Sequence, residues 1–221
     1  RRVFHDALGV EVSIPFPRLT YKEALERYGS DKPDTRFDME LVNVSDIVEN
    51  SGFKVFADTI AKGGSVRAIN ARGCGVKFSR KEIDALGEYV KTYKAKGMAW
   101  IAVEENGLRS SITKFMQEDE VQSILKRTKA EAGDLICFIA DKNEIVYDAL
   151  GHLRLEVARR INLIDENRLN FLWVTEFPMF DYNEEENRWE AKHHPFTSPM
   201  DEDIDLLDSN PGEVRAKAYD I

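Results

Sequence analysis

Two adjacent imidazoles ahead of a proline, His193-His194-Pro195, are the residues of this chain best suited to chemistry. They stand in Lys192-His193-His194-Pro195-Phe196-Thr197-Ser198-Pro199, soon after the apolar run Phe171-Leu172-Trp173-Val174-Thr175-Glu176-Phe177-Pro178. Proline biases the residue before it toward an extended backbone, and neighbours on an extended strand point to opposite faces. One histidine of the pair is therefore expected to face a cleft, and the other to face packing or backbone. An imidazole, with a reference pKa of about 6.5, is drawn into its charged form by a nearby carboxylate. A satisfied surface pair on a β-strand would have the same sequence, so the pair needs context.

The other polar groupings are weaker. Ser30, Asp31, Lys32 and Asp34 form a second knot, but Asp-Lys-Pro-Asp is also ordinary turn chemistry, with Asp bonding its own backbone and Pro fixing φ. Gly73-Cys74-Gly75 lacks the third glycine of a dinucleotide fingerprint, and no Walker lysine–serine pair follows. His5 and His152 fall on predicted helices without partners at metal spacing. Lys91, Lys94 and Lys96 crowd a helix end, where the helix dipole accounts for them. No zinc cluster and no Ser/His/Asp set is present, so no metal ligand and no catalytic residue is assigned.

The chain has 221 residues, 43% hydrophobic and 32% charged, enough for one large or two small domains with a proper core. Net charge is −9 and the pI near 5.1, which argues against a protein held to nucleic acid by bulk charge, though not against a local basic patch. No apolar run approaches the roughly 20 residues that span a bilayer, and no signal peptide opens the chain. Cys74 and Cys137, in unrelated segments, read as reduced thiols of a cytoplasmic protein. Arg1 is not a methionine, and Ala218-Tyr219-Asp220-Ile221 alternates like a strand with no turn after it, so a piece of a longer protein is expected.

The elements that must position these residues are legible in outline. Residues 1–8 read as the tail of a helix. Thr20 with Glu23, and Ser79 with Glu82, have capping-box spacing. Gly29 is a natural helix stop. Residues 53–60 and 66–71 are predicted as strands around a Lys62–Ser65 turn, followed by a helix carrying Ile83, Leu86, Val90 and Tyr93. Asn106-Gly107 joins strands at 98–103 and 108–115, and a helix follows with Val121, Ile124, Leu125 and Thr128 on one face. This β-β-α-β-β-α order predicts an α+β, two-layer module with one sheet face under two helices. Further on come a short strand at 134–140, a helix at 143–161 burying Leu150, Leu153 and Val157, and a long central strand at 170–180. An acidic loop or hairpin tip at 181–189 leads to His193-His194, expected on the returning strand.

Four blocks carry a resemblance. Pro15-Phe16-Pro17-Arg18-Leu19-Thr20-Tyr21, Arg27-Tyr28-Gly29-Ser30-Asp31-Lys32-Pro33-Asp34 and the His193-His194-Pro195-Phe196 block together resemble bacterial-type aspartyl-tRNA synthetase. Trp100-Ile101-Ala102-Val103-Glu104-Glu105-Asn106-Gly107-Leu108-Arg109-Ser110-Ser111-Ile112-Thr113-Lys114-Phe115 is similar to the GAD insertion domain of that family. The blocks occur in family order and cover essentially the whole chain. The resemblance implies a GAD insertion at 46–141 between two pieces, 1–45 and 142–221, of a class II antiparallel catalytic domain. It places His193 at the substrate L-aspartate with His194 beside it, and Ser30, Asp31 and Lys32 at the pocket border or the acceptor end of the tRNA.

For the parent protein the resemblance implies ATP and Mg2+, with the Mg2+ ligands outside this fragment, tRNA(Asp) as partner, and a cytoplasmic homodimer. The arginines of the second and third class II motifs are expected before Arg1 and after Ile221, so the fragment alone is expected to be inactive. The rival reading is a non-catalytic GAD-type module that meets tRNA or protein.

Overall fold

Leu135–Asp141 is apolar toward both sides, the composition of a strand covered on each face. In the computed structural model, which describes residues 2–221, it is the middle strand of a five-stranded sheet. In chain order the first elements are α1 (Arg2–Leu8), β1 (Arg18–Thr20), α2 (Tyr21–Tyr28), β2 (Val42–Asn43), α3 (Ser45–Val48), α4 (Lys54–Ala61) and β3 (Ser65–Ala71). Next come α5 (Cys74–Lys77), α6 (Arg80–Lys91), β4 (Ala99–Glu104), β5 (Gly107–Ser110), α7 (Glu118–Thr128), β6 (Leu135–Asp141) and α8 (Asn143–Arg160). The last are β7 (Trp173–Thr175), β8 (Phe180–Asn183), β9 (Arg188–Ala191), α9 (Leu206–Ser209) and β10 (Tyr219–Asp220). The chain divides into two compact units, Glu26–Glu166 and Arg1–Leu25 with Asn167–Ile221, the division falling inside α2.

The Glu26–Glu166 unit is built on the sheet β2-β3-β6-β4-β5, antiparallel at every pairing. Strand alternation sorts its side chains into two cores. Ile69, Leu135, Cys137 and Ile139 pack with Ile83 and Leu86 of α6 and Leu150, Leu153 and Val157 of α8. Val66, Ala68, Ile136 and Phe138 pack with Val48, Phe56 and Ile124 of α3, α4 and α7.

The α+β class holds, but the expected two layers become three, because helices cover both sheet faces. The element order also changes, since residues 54–61 form a helix where a strand was expected. Phe53, Phe56 and Ile60 recur at helical spacing and all reach the second core, while Val55 is left 55% exposed. Strand 135–141, which the β-β-α-β-β-α order left out, is the centre of the sheet. The compact unit is wider than the insertion expected at 46–141, reaching 26–45 and 142–166, because α8 buries its apolar face on this sheet.

Asp134 ties the turn after β3 to the strand β6. Its carboxylate, buried, accepts from Gly73 N (2.8 Å), Asn70 Nδ2 (3.0 Å) and Glu131 N (3.0 Å). Asp134→Ala strands three donors and is expected to cost about 2–3 kcal/mol in urea unfolding; a loss below about 1 kcal/mol would mean water replaces the carboxylate.

The other unit is smaller. β7 is central, parallel to β1 and antiparallel to β10, and Val174 and Phe177 pack with Ala24. The Thr20–Glu23 capping box forms as expected, with Thr20 N to Glu23 Oε2 at 2.8 Å and Glu23 N to Thr20 Oγ1 at 3.1 Å. The long strand expected at 170–180 is only Trp173–Thr175. Glu176 takes φ 59°, which no strand accommodates, and Pro178 has no N–H to give to a ladder. β8 and β9 form the hairpin expected around the acidic tip.

Candidate functional site

The β8–β9 ladder ends at Phe180↔Ala191, so His193 and His194 follow the strand instead of lying on it as expected. The last backbone bond is Lys192 N to Met179 O at 3.0 Å; Pro195, with no N–H, then turns the chain out. Lys192 is fixed by its side chain as well. Its ammonium bonds Asp181 (3.1 Å) and the Tyr21 hydroxyl (3.2 Å). Burial opposes that charge, but the two bonds outweigh it and raise the lysine's pKa.

The two histidines have different surroundings. His193 is half-buried, its Nε2 lies 3.0 Å from the Pro178 carbonyl oxygen, and its ring meets Phe177 edge-to-face at 5.8 Å. A carbonyl can only accept, so Nε2 carries the proton and Nδ1 is the ring nitrogen left for any ligand. His194 is exposed; its Nδ1 accepts from Phe196 N at 3.3 Å, and its ring stands 4.9 Å from that of Phe196, itself 92% exposed. The pair thus divides between an anchored ring and an outward one.

The His193–His194 loop is gripped by residues 214–217. Val214 O accepts from Met179 N (2.8 Å) and Ala216 N donates to Phe177 O (2.7 Å), on the side that carries Pro178. Arg215 O accepts from Met200 N (2.8 Å) and Lys217 N donates to Ser198 O (2.8 Å), at the far end of the loop. The Arg215 guanidinium forks onto Asp203, Nε to Oδ2 at 2.8 Å and Nη2 to Oδ1 at 2.9 Å, and reaches Glu176 Oε2 at 3.1 Å.

The side-chain and backbone N–H bonds from Arg215 hold the Asp203 carboxyl at about 2, below its ordinary 3.8. A carboxylate depressed on folding contributes stability above its unfolded pKa and loses it as pH falls through the folded one. The Arg1–Leu25/Asn167–Ile221 unit is therefore expected to weaken as pH falls from about 4 toward about 2, and Asp203→Asn to flatten that acid limb in a circular-dichroism titration. An unchanged limb in the variant would assign the acid loss to other carboxylates.

Ser30, Asp31 and Lys32 lie in the other compact unit. Some of the loop's polar contacts are internal. Ser30 Oγ accepts from Lys32 N at 3.1 Å, and Asp34 holds Arg36 through Nη2 at 2.7 Å and through its backbone N–H at 3.0 Å. The Arg36 bond, acting against burial, lowers the Asp34 pKa. Behind the loop, the buried Arg154 of α8 donates to Asp34 O (3.0 Å), Met39 O (3.1 Å) and Phe37 O (3.4 Å).

Neither arginine stood out in the sequence. Arg154 follows Leu150 by four positions and precedes Val157 by three, so a charge on an apolar helical stripe was the available sign. Arg215 sits between Val214 and Ala216 in no motif.

Gly73-Cys74-Gly75 serves packing. Gly75 N donates to Gly133 O at 2.8 Å, and a Cβ on Gly75 would stand 2.5 Å from Asp134 O. An open cleft of about 900 Å³ beside it is lined by Lys77 and Arg109 but also by Glu82, Glu104 and Glu105. Cys74 and Cys137 are free and buried, and burial pushes both thiols up. His152 stacks on Tyr93 at 3.9 Å and pairs with Asp148 at 3.1 Å. Among the described residues no three His, Cys, Asp or Glu side chains gather as they would to hold a metal ion, and no described helix is long and apolar enough to cross a membrane.

Residues 56–150 match the GAD domain family. Over its full length the chain is 66% identical to an aspartate–tRNA ligase of Ruminiclostridium cellulolyticum, of which it covers 37%. It is 54% identical to an aspartate–tRNA(Asp/Asn) ligase of Bacillus cytotoxicus and to an aspartate–tRNA ligase of Clostridium acetobutylicum, again covering 37% of each. The chain thus spans a little over a third of the length of these curated relatives.

Proposed function

We infer that this chain, which carries a GAD domain and is homologous over its whole length to part of the aspartate–tRNA ligases, is part of a protein that activates L-aspartate with ATP and transfers it to the 3′ end of tRNA(Asp). The similarity runs through the flanking segments as well as 56–150, which favours a ligase over a free-standing GAD-type module. In this proposal 46–141 is the insertion and the flanks belong to the catalytic domain. Homodimer formation, Mg2+ dependence and a cytoplasmic location go with the whole protein, and no residue here is assigned to Mg2+.

The single observation carrying the site is the anchored ring of His193. With Nε2–H held by Pro178 O, a second proton on Nδ1 would give a cation whose free N–H points to an anionic group. His193 would hold the aspartate or its adenylate in this way, with His194 beside it. Ser30, Asp31 and Lys32 are assigned to the border of the pocket or of the tRNA acceptor end. The chain by itself is proposed not to form adenylate, because adenylate formation depends on positioned cationic charge at the phosphates and the motif arginines the resemblance implies are not among its residues.

Titrating an aspartyl-adenylate analogue into the chain by calorimetry tests the site. His193→Ala is expected to weaken binding roughly 10- to 100-fold, the loss of one charge-assisted bond. Equal affinity in the parent and the variant would remove His193 from the site. Aspartate-dependent pyrophosphate exchange by the isolated chain would overturn its proposed inactivity.

A further inference from the structure

We propose that Arg215 is the positioning residue of His193, setting the ring orientation and tautomer through the segment it holds and not through contact with ligand. The proposal deepens the reading of His193 as an aspartate ligand and rests on it for its functional consequence.

The orientation of His193 depends on one carbonyl, that of Pro178, and on the ring of Phe177. Both belong to a stretch that the backbone does not favour. Glu176, immediately before it, sits at φ 59°, a left-handed conformation that is unfavourable for a non-glycine residue. Something must hold it there. Arg215 does so through its side chain, Nη1 bonding the Glu176 carboxylate at 3.1 Å, while its neighbours Val214 and Ala216 bond Met179 N and Phe177 O on either side of Pro178.

The same guanidinium is locked in place. Its fork onto the buried Asp203, reinforced by Arg215 N to Asp203 Oδ2 at 2.9 Å, leaves one orientation for Nη1. Arg215 O also receives Met200 N, so one residue links the strained segment before the histidine loop to the return segment after it. A lysine could carry the charge but not the fork plus the third bond. Loss of the guanidinium frees Glu176 to relax to φ < 0, which turns the Pro178 carbonyl away. The reason for the Nε2–H tautomer then disappears.

The test reads the imidazole directly. Long-range 15N–1H spectra of the 221-residue chain, with the four histidines assigned by single His→Gln variants, are expected to show His193 as the Nε2–H tautomer. In Arg215→Gln the His193 signals should move toward a mixed tautomer while those of His5 and His152 stay, and Arg215→Lys should behave alike. Glu176→Gln, which leaves the Asp203 fork intact, provides the same readout in a variant expected to fold. It should give a smaller shift of the same sign.

Analogue affinity should fall roughly 5- to 10-fold in Arg215→Gln, with Arg188→Gln on the exposed hairpin as the unchanged control. An unmoved His193 tautomer in both Arg215→Gln and Glu176→Gln would overturn the proposal, even if the melting temperature fell. A moved tautomer in a chain whose parent form binds no analogue would keep the positioning role and sink the ligand reading instead.

Discussion

Replacing Arg154 with alanine is expected to lower the stability of the Glu26–Glu166 unit by about 3–5 kcal/mol. Arg154 is 1% exposed, and it has taken a guanidinium out of water at a cost that only its partners offset. Those partners are three backbone carbonyls, of Asp34, Phe37 and Met39, and two rings, with Phe37 at 4.2 Å and Tyr28 at 5.1 Å from the guanidinium carbon. Burial pulls its pKa down to about 10, partly offset by Asp34, Tyr28 and Glu40, so it stays charged at neutral pH.

Alanine leaves the buried carbonyls without donors and a cavity between the rings, two costs that add. It also releases Met39, held at φ 99° with its carbonyl on Arg154. Urea unfolding followed by hydrogen exchange in β3 and β6 measures the loss, and limited proteolysis should open the chain between residues 30 and 39. Lysine is not expected to rescue, since an ammonium cannot reach three divergent acceptors. A loss under about 1 kcal/mol with unaltered proteolysis would show that the loop holds itself.

The second large effect is expected at the other end of the same loop. Gly29 takes φ +69°, and a Cβ there would stand 2.2 Å from Tyr147 O and 2.8 Å from Gly151 N. Reciprocally, a Cβ on Gly151 would meet Gly29 O at 2.6 Å. Two glycines thus let the loop backbone lie directly on α8. Gly29→Ala adds left-handed strain of about 1–2 kcal/mol and a backbone clash of about 1–3 kcal/mol, so a loss of about 3–4 kcal/mol is expected.

Gly63→Ala separates the two causes. Gly63 has φ +81° but nothing within 4 Å of its would-be Cβ, so it reads the strain alone. Equal losses at the two positions would mean that α8 moves aside at little cost. Both predictions concern the loop that carries Ser30, Asp31 and Lys32, and either variant should loosen it.

Much of the fold was legible because it rests on local periodicity. The two capping boxes, the Asn-Gly hairpin and the helices around Ile83, Val121 and Leu150 follow from spacing over a few residues, and so does β3. Segment 54–61 is ambiguous in sequence because Phe53, Val55 and Phe56 satisfy an alternating and a helical pattern in so short a run. The sheet to its side decided, offering a face that Phe56 and Ile60 could cover. The long strand at 170–180 failed for the opposite reason. Its composition is that of a strand, but Glu176 is held in a left-handed turn by an arginine 39 positions away.

The family resemblance, the α+β class and the choice of the histidine pair as residues suited to chemistry could be read without coordinates, because they reside in residue identity and short-range order. That the sheet is covered on both faces, with β6 at its centre, emerges from long-range packing alone. So does the hold of Arg154 and Arg215, unmarked in any motif, on the polar loop and the histidine loop. Strand order and buried-charge partners are set by contacts between residues far apart in the chain, and periodicity carries no information about which distant segment an apolar face or a guanidinium will meet.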